Sequence, residues 1–224
     1  MAEERGRLAA VMSTGLVGYA AATRAGGSRA MAVLATHDAI LRPYFPEFRG
    51  REVRAAGGSF LVEFGSALDA LRCAVEILSR LHGYNAVASD EGKVRLRIGI
   101  HLGGVTHREG DVFGDAVDVS SRIQPLAGPE GVCISRQVYD QVRSVFELPL
   151  VSRGEKELKD AAVPVEVYSV TMPWDSPGAR APLTSAAISG SRPRLGTAAP
   201  GETLPRGRAR LRRPSARRDR RGGP

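Results

Sequence analysis

The segment KVRLRIGIHL alternates strictly, with Val94, Leu96, Ile98, Ile100 and Leu102 on one face and Lys, Arg, Gly or His between them. A period of two belongs to a strand that buries one face. The chain must therefore build a sheet around residues 93–102 and cover it. Shorter apolar runs at Leu8–Met12, Ser59–Phe64, Gly131–Ser135 and Val165–Val170 supply further strands. Gly57-Gly58 separates the Ser59–Phe64 run from an extended segment, Arg51–Ala55, and tolerates the positive φ of a tight hairpin turn. Between these strands the period changes to that of a helix. Leu68, Leu71, Val75, Leu78 and Leu81 make a stripe after Ser66, and Asp69 stands three residues beyond that capping serine. Further helices are expected over Ser28–Arg42, Asp115–Leu126 and Ser135–Val142. Strand, helix, hairpin, helix and strand is the order of a ferredoxin-like split βαβ. The expected class is α+β, with an antiparallel sheet carrying helices on one face.

The formal charge of +8 suggests a nucleic-acid binder until its distribution is examined. Residues 173–224 hold 12 arginines against Asp175, Glu202 and Asp219, a net of +9, which leaves −1 for residues 1–172. That C-terminal stretch also contains 8 of the 14 prolines and no periodicity, so it is expected to be a disordered Pro/Arg-rich tail with an anionic partner at most. The folded domain is expected over residues 1–172. Cys73 and Cys133 make no disulfide framework and no zinc spacing, which points to a reducing, cytoplasmic setting. No membrane span is expected, since no apolar run reaches the roughly 18–20 residues required. Residues 8–22 follow Arg5 and Arg7 like a signal peptide. Glu3 and Glu4 cancel that charge and Ser13-Thr14-Gly15 interrupts the apolar run, so an N-terminal strand is the better reading. There is no P-loop, HExxH, GxSxG or CxxC, and His37, His82, His101 and His107 are scattered on different elements as structural residues would be.

Several stretches taken together resemble the class III adenylate/guanylate cyclase catalytic domain. LAAVMSTGLVGYAAAT resembles the first strand of that family, and VRAAGGSFLVEF its hairpin, usually close to VKTTGDGFLVEF. RLRIGIHLGGV, then EGDVFGDAVDVSSRIQPLAGPEGVCISRQVYDQV, resembles its central signature, and GEKELKDAAVPVEVYSV its last strands. The resemblance implies a domain that dimerises head to tail, with active sites shared between protomers. It also implies conversion of ATP or GTP to a cyclic monophosphate and pyrophosphate, using two divalent metals held by two aspartates.

At those two positions this chain has Gly15 and Gly58. Metal is therefore not expected from its own residues, and Mg²⁺ or Mn²⁺ would enter only if a partner chain supplied the aspartates. The rest of the site is better matched. Arg54 stands where a purine-reading lysine is usual, Asp111 matches the second purine contact, and Lys159 matches a lysine on the terminal phosphates. Arg122 matches the arginine that stabilises charge in the transition state, and Asp118 replaces a ribose-orienting asparagine. The resemblance thus implies Arg122 and Asp118 as catalytic and Arg54, Asp111 and Lys159 as nucleotide-binding, with ATP favoured over GTP. Plainer readings also exist. Asp118 and Arg122 are spaced for an i,i+4 ion pair, Arg54 for an exposed strand position, Asp111 for a turn and Lys159 for a solvated surface. Three functions follow: a degenerate homodimer that still binds nucleotide, one half of an active heterodimer with an intact cyclase domain, or a dimerisation scaffold with a basic tail.

Overall fold

A computed structural model describes residues 6–24, 27–158 and 164–175. All of them belong to the first of two units, residues 1–184. Of the expected tail only the short 3-10 turn Pro173–Asp175 is described.

The long strands meet as their alternation requires. β1 (Arg7–Leu16) lies between β3 (Ser59–Phe64) and β4 (Leu96–Arg108), antiparallel to both. β2 (Gly50–Ala56) closes the hairpin with β3. The order β2-β3-β1-β4 is that of the split βαβ. It is extended by β6 (Gly131–Ser135), β8 (Val165–Val170) and β7 (Leu150–Lys156), while β5 (Asp111–Phe113) pairs with β4 beside this path. β6 runs parallel to β4; the other pairings are antiparallel.

Register assigns each residue a face. Met12 pairs with Ile100 and Thr14 with Ile98, and these buried side chains share the face on which Phe60 stacks with His37 and meets Phe45 edge-on. His37 and Phe45 come from α2 (Ser28–Leu41) and α3 (Tyr44–Glu47), which pack beside α4 (Ala67–Asn85). Ser66 caps α4 by accepting the Asp69 amide at 3.3 Å, as its spacing predicts. The fully buried Leu71, Ile77, Leu78 and Leu81 of α4 each contribute about 1.5–3 kcal/mol of apolar burial.

α5 (Asp115–Ile123) is the exception to the single-face arrangement. Its Ala116 packs with Ala9, Val11, Leu61, Val105 and Val112, all on the opposite face. The reason is local: Gly99, His101 and Gly103 occupy that face of β4, and a Cβ at Gly99 would lie 2.4 Å from the Ser120 carbonyl oxygen. Glycine lets the backbones of helix and sheet touch directly. The helix expected to reach Leu126 yields at Gln124 to a 3-10 turn, Gln124–Leu126, because Pro125 has no N–H to continue the α ladder. α6 (Arg136–Val142) follows β6. Cys73 and Cys133 are buried free thiols. Among the described residues no helix is long and apolar enough to cross a membrane.

Candidate nucleotide site

Two glycine turns shape one end of the sheet. Gly57 and Gly58 adopt φ of 57° and 77° between β2 and β3, and the Gly58 carbonyl accepts a hydrogen bond from the Leu16 amide at 2.9 Å. That bond fastens the hairpin tip to the end of β1, where Gly18 (φ 80°) turns the chain into α1 (Tyr19–Arg24). Gly15 and Gly58, assigned to one metal site by resemblance, are thereby brought close together. Beside Gly15 opens a cavity of about 360 Å³ lined by the Gly15–Gly18 loop, Ser59, Arg97, Gln124 and Pro125.

The cavity does not suit a divalent cation. None of its lining residues is a carboxylate, whereas Mg²⁺ usually takes one or two in addition to phosphate oxygens. A Cβ at Gly15 would lie 2.7 Å from Gln124 Nε2, so the glutamine amide occupies the space an aspartate would enter. At Gly58 a Cβ would meet Leu16 Cβ at 3.0 Å. Among the described residues no group of three or more His, Cys, Asp or Glu side chains is placed to hold a metal. Two carboxylates flanking these elements, Glu63 and Asp115, are committed elsewhere. Glu63 is buried and receives hydrogen bonds from Arg7 at 2.6 Å and Arg51 at 2.8 Å, with His107 at 3.1 Å. Burial alone would raise its carboxyl; the bonds to His107, Arg51 and Arg7 outweigh burial and hold it below the usual range. Asp115 pairs with Nε2 of buried His101 at 3.0 Å, while His101 Nδ1 meets Ser135 Oγ at 2.8 Å. Burial pushes the His101 imidazole down despite that carboxylate, and the trio ties the start of α5 to the sheet.

Of the residues assigned to nucleotide contact, Arg54 on β2 and Asp111 on β5 come together in a direct ion pair. The Arg54 hydrogen bond, aided by the Val112 amide at 2.8 Å, holds the Asp111 carboxyl below its ordinary value. Asp118 and Arg122 lie one turn apart on α5, Asp118 exposed and Arg122 half-buried. Lys159 lies outside the described residues. The cavity residues Arg97 and Gln124 lie inside the stretches that carry the family resemblance, but the sequence assigns neither of them a site role. Arg97 is one of several basic residues in the alternating strand, and only the pairing of β1 with β4 sets it opposite Gly15.

The family model for the adenylate and guanylate cyclase catalytic domain matches residues 2–172. The chain belongs to this family. Over 172 residues this cyclase-family chain is 33% identical to a Rhizobium meliloti protein named "Putative adenylate cyclase 3", a match covering 75% of this chain and 29% of that protein. It is 36% identical over 95 residues to an adenylate cyclase of Streptomyces griseus, covering 42% and 21% of the two chains. The chain spans less than a third of the length of the curated relatives it matches. Among solved structures, the adenylate/guanylate cyclase/hydrolase from Silicibacter pomeroyi superposes with a TM-score of 0.71 at 25% identity, covering 75% of this chain and 99% of that one. The expected α+β class III cyclase fold is therefore the fold of this domain. Cyclases of this family are in general metal-dependent.

Proposed function

We propose that this chain is a degenerate member of the cyclase family, which dimerises and binds ATP but does not form cyclic nucleotide as a homodimer. The observation that carries this reading is the cavity at Gly15, whose lining offers no carboxylate to a metal. A homodimer only repeats the deficiency, because both protomers carry Gly15 and Gly58. Nucleotide binding is supported by the Arg54–Asp111 pair, which resembles an adenine-reading pair and is held together at the mouth of the β2–β3 and β4–β5 hairpins. Relatives named adenylate cyclase favour ATP over GTP. A related guanylyl cyclase domain, from the RhoGC fusion protein of Blastocladiella emersonii, is described as a non-canonical dimer, which supports self-association here without fixing its arrangement.

The same pair favours one second reading. A chain that keeps purine and phosphate contacts but lacks metal ligands could complete a site with an intact cyclase domain, as one half of a heterodimer that converts ATP to cyclic AMP and pyrophosphate. The test is cyclic nucleotide formation by the pure chain with Mn²⁺, alone and mixed with intact cyclase domains. No activity alone is expected on both readings; activity above the partner's own level separates the second from the first. Turnover by the chain alone would defeat both.

A further inference from the structure

Three polar side chains form a chain across the seam between α5 and the sheet. His101 stands on β4 opposite Val11 of β1, and its ring is buried. Nε2 meets Asp115, the first residue of α5, at 3.0 Å, and Nδ1 meets Oγ of Ser135, the last residue of β6, at 2.8 Å. Glycine makes the first contact possible: a Cβ at Gly103 would lie 2.9 Å from both Asp115 Oδ2 and His101 Nε2. Ser135 is fully buried and its hydroxyl makes no cap bond to α6, although it stands at the N-cap of that helix. An ionised carboxylate only accepts, so Nε2 carries the hydrogen and Nδ1 accepts from the Ser135 hydroxyl. Both ring nitrogens are thus satisfied while the ring is neutral.

We propose that the Ser135–His101–Asp115 chain is a proton-operated pin: neutral His101 seats α5 on the sheet, and a proton taken up by His101 loosens the helix. A second ring proton would sit on Nδ1 and confront the Ser135 hydroxyl, which would have to turn its hydrogen away from the ring. It would also place a full charge on a side chain that is 3% exposed. Among the described residues Asp115 is the charged group facing the ring, since β1 offers Val11 and β6 offers Ser135. The Asp115 side chain is 67% exposed, so solvent screens its attraction, and burial prevails in holding the imidazole below its ordinary value. A displaced α5 removes both obstacles by letting water reach the ring. The open form therefore takes the proton more readily than the seated one, and acid favours opening. Seating is fully present above the ordinary histidine value near 6.5 and weakens as pH falls from there toward the depressed one. Because α5 also carries Asp118 and Arg122, the pin makes the placement of both proton-dependent. The pin is a property of the chain alone and does not require nucleotide.

The experiment is hydrogen exchange of the α5 backbone amides in the full chain without ligand, from about pH 7.5 to about pH 5.5, corrected for the intrinsic pH dependence of exchange. Protection of α5 should fall by up to about tenfold for each pH unit below about 6.5. His101→Gln, which keeps a donor and an acceptor but does not titrate, should show no such fall. Asp115→Asn removes the charge that favours the imidazolium, so the fall should begin at lower pH, and the His101 ring titration followed by NMR should move the same way. His37, the other imidazole that burial depresses among the described residues, belongs to α2 and stacks on Phe60 on the opposite face. It is common to all three proteins, so its titration cancels in the comparison. Level α5 protection in the natural chain, the same fall in His101→Gln, or a fall in Asp115→Asn at unchanged or higher pH would overturn the proposal. Should His101→Gln fail to fold, the Asp115→Asn shift decides alone.

Discussion

Restoring the two aspartates should have unequal costs, and the inequality can be worked out from the backbone. At position 15 the strand conformation is ordinary, and the atom an added Cβ meets, Gln124 Nε2 at 2.7 Å, is the far end of a flexible side chain. That amide holds only a long 3.4 Å bond to the Arg97 carbonyl, so it can swing away at little expense. The new carboxylate would then find Arg97 across the strands, and a partly exposed pair of this kind returns up to about 1 kcal/mol. Gly15→Asp should therefore be neutral within about 1 kcal/mol. Gly58 has φ 77° and its Cβ would press on Leu16 Cβ at 3.0 Å. Left-handed backbone costs an ordinary residue about 1–2 kcal/mol, somewhat less for aspartate than for alanine. Gly58→Asp should accordingly lower the melting temperature by roughly 2–8 °C, Gly58→Ala by at least as much, and Gly15→Asp by much less. Thermal unfolding followed by circular dichroism reads all three. A Gly15→Asp protein less stable than Gly58→Asp would refute the reasoning, because it would mean that Gln124 is fixed and not yielding.

Three further outcomes follow from the same geometry. Gly99→Ala should cost about 3 kcal/mol, because its Cβ would strike the backbone of Ser120 and Gln124, while Gly104→Ala, with nothing within 4 Å, should stay within about 1 kcal/mol; urea titration compares them. Glu63→Gln should cost about 1–3 kcal/mol at neutral pH by leaving Arg7 and Arg51 unanswered. Since the folded Glu63 carboxyl is depressed, its contribution is present above the unfolded value near 4.3 and lost as pH falls through the folded one, so acid unfolding below about pH 4 should be flatter in the variant. Arg54→Ala should reduce ATP affinity about tenfold and bring ATP and GTP toward parity in competition binding, and unchanged selectivity would detach Arg54 from base recognition.

Much of this architecture is legible in the amino-acid sequence itself. Alternation marks β4, Gly57-Gly58 marks the hairpin, and Ser66 with Asp69 marks the start of α4. These are local signals, carried by a few adjacent side chains. The parts that are not legible depend on partners distant in sequence. β7 is a polar strand broken by a bulge between Ser152 and Glu155, and only its pairing with β8 reveals it. α5 lies opposite the other helices because of Gly99, yet a glycine in an alternating strand does not announce which helix will approach it. In the site, the metal positions and the residues Arg54 and Asp111 are visible through family resemblance. Arg97 lies in the RLRIGIHLGGV stretch of that resemblance, but its place opposite Gly15 comes only from the pairing of two strands far apart in the chain.

Cyclic AMP and cyclic GMP formation by the purified chain, with saturating ATP or GTP and Mn²⁺, tests the central claim most directly. The Gly15→Asp/Gly58→Asp double variant should be assayed beside it. Mn²⁺ is the permissive choice for probing whether any metal is held, because a site of nitrogen and oxygen ligands accepts it readily. The account predicts product at the level of the protein-free blank for the natural chain and above it for the double variant. Sustained turnover by the natural chain would contradict it, because metal would then be held without either carboxylate.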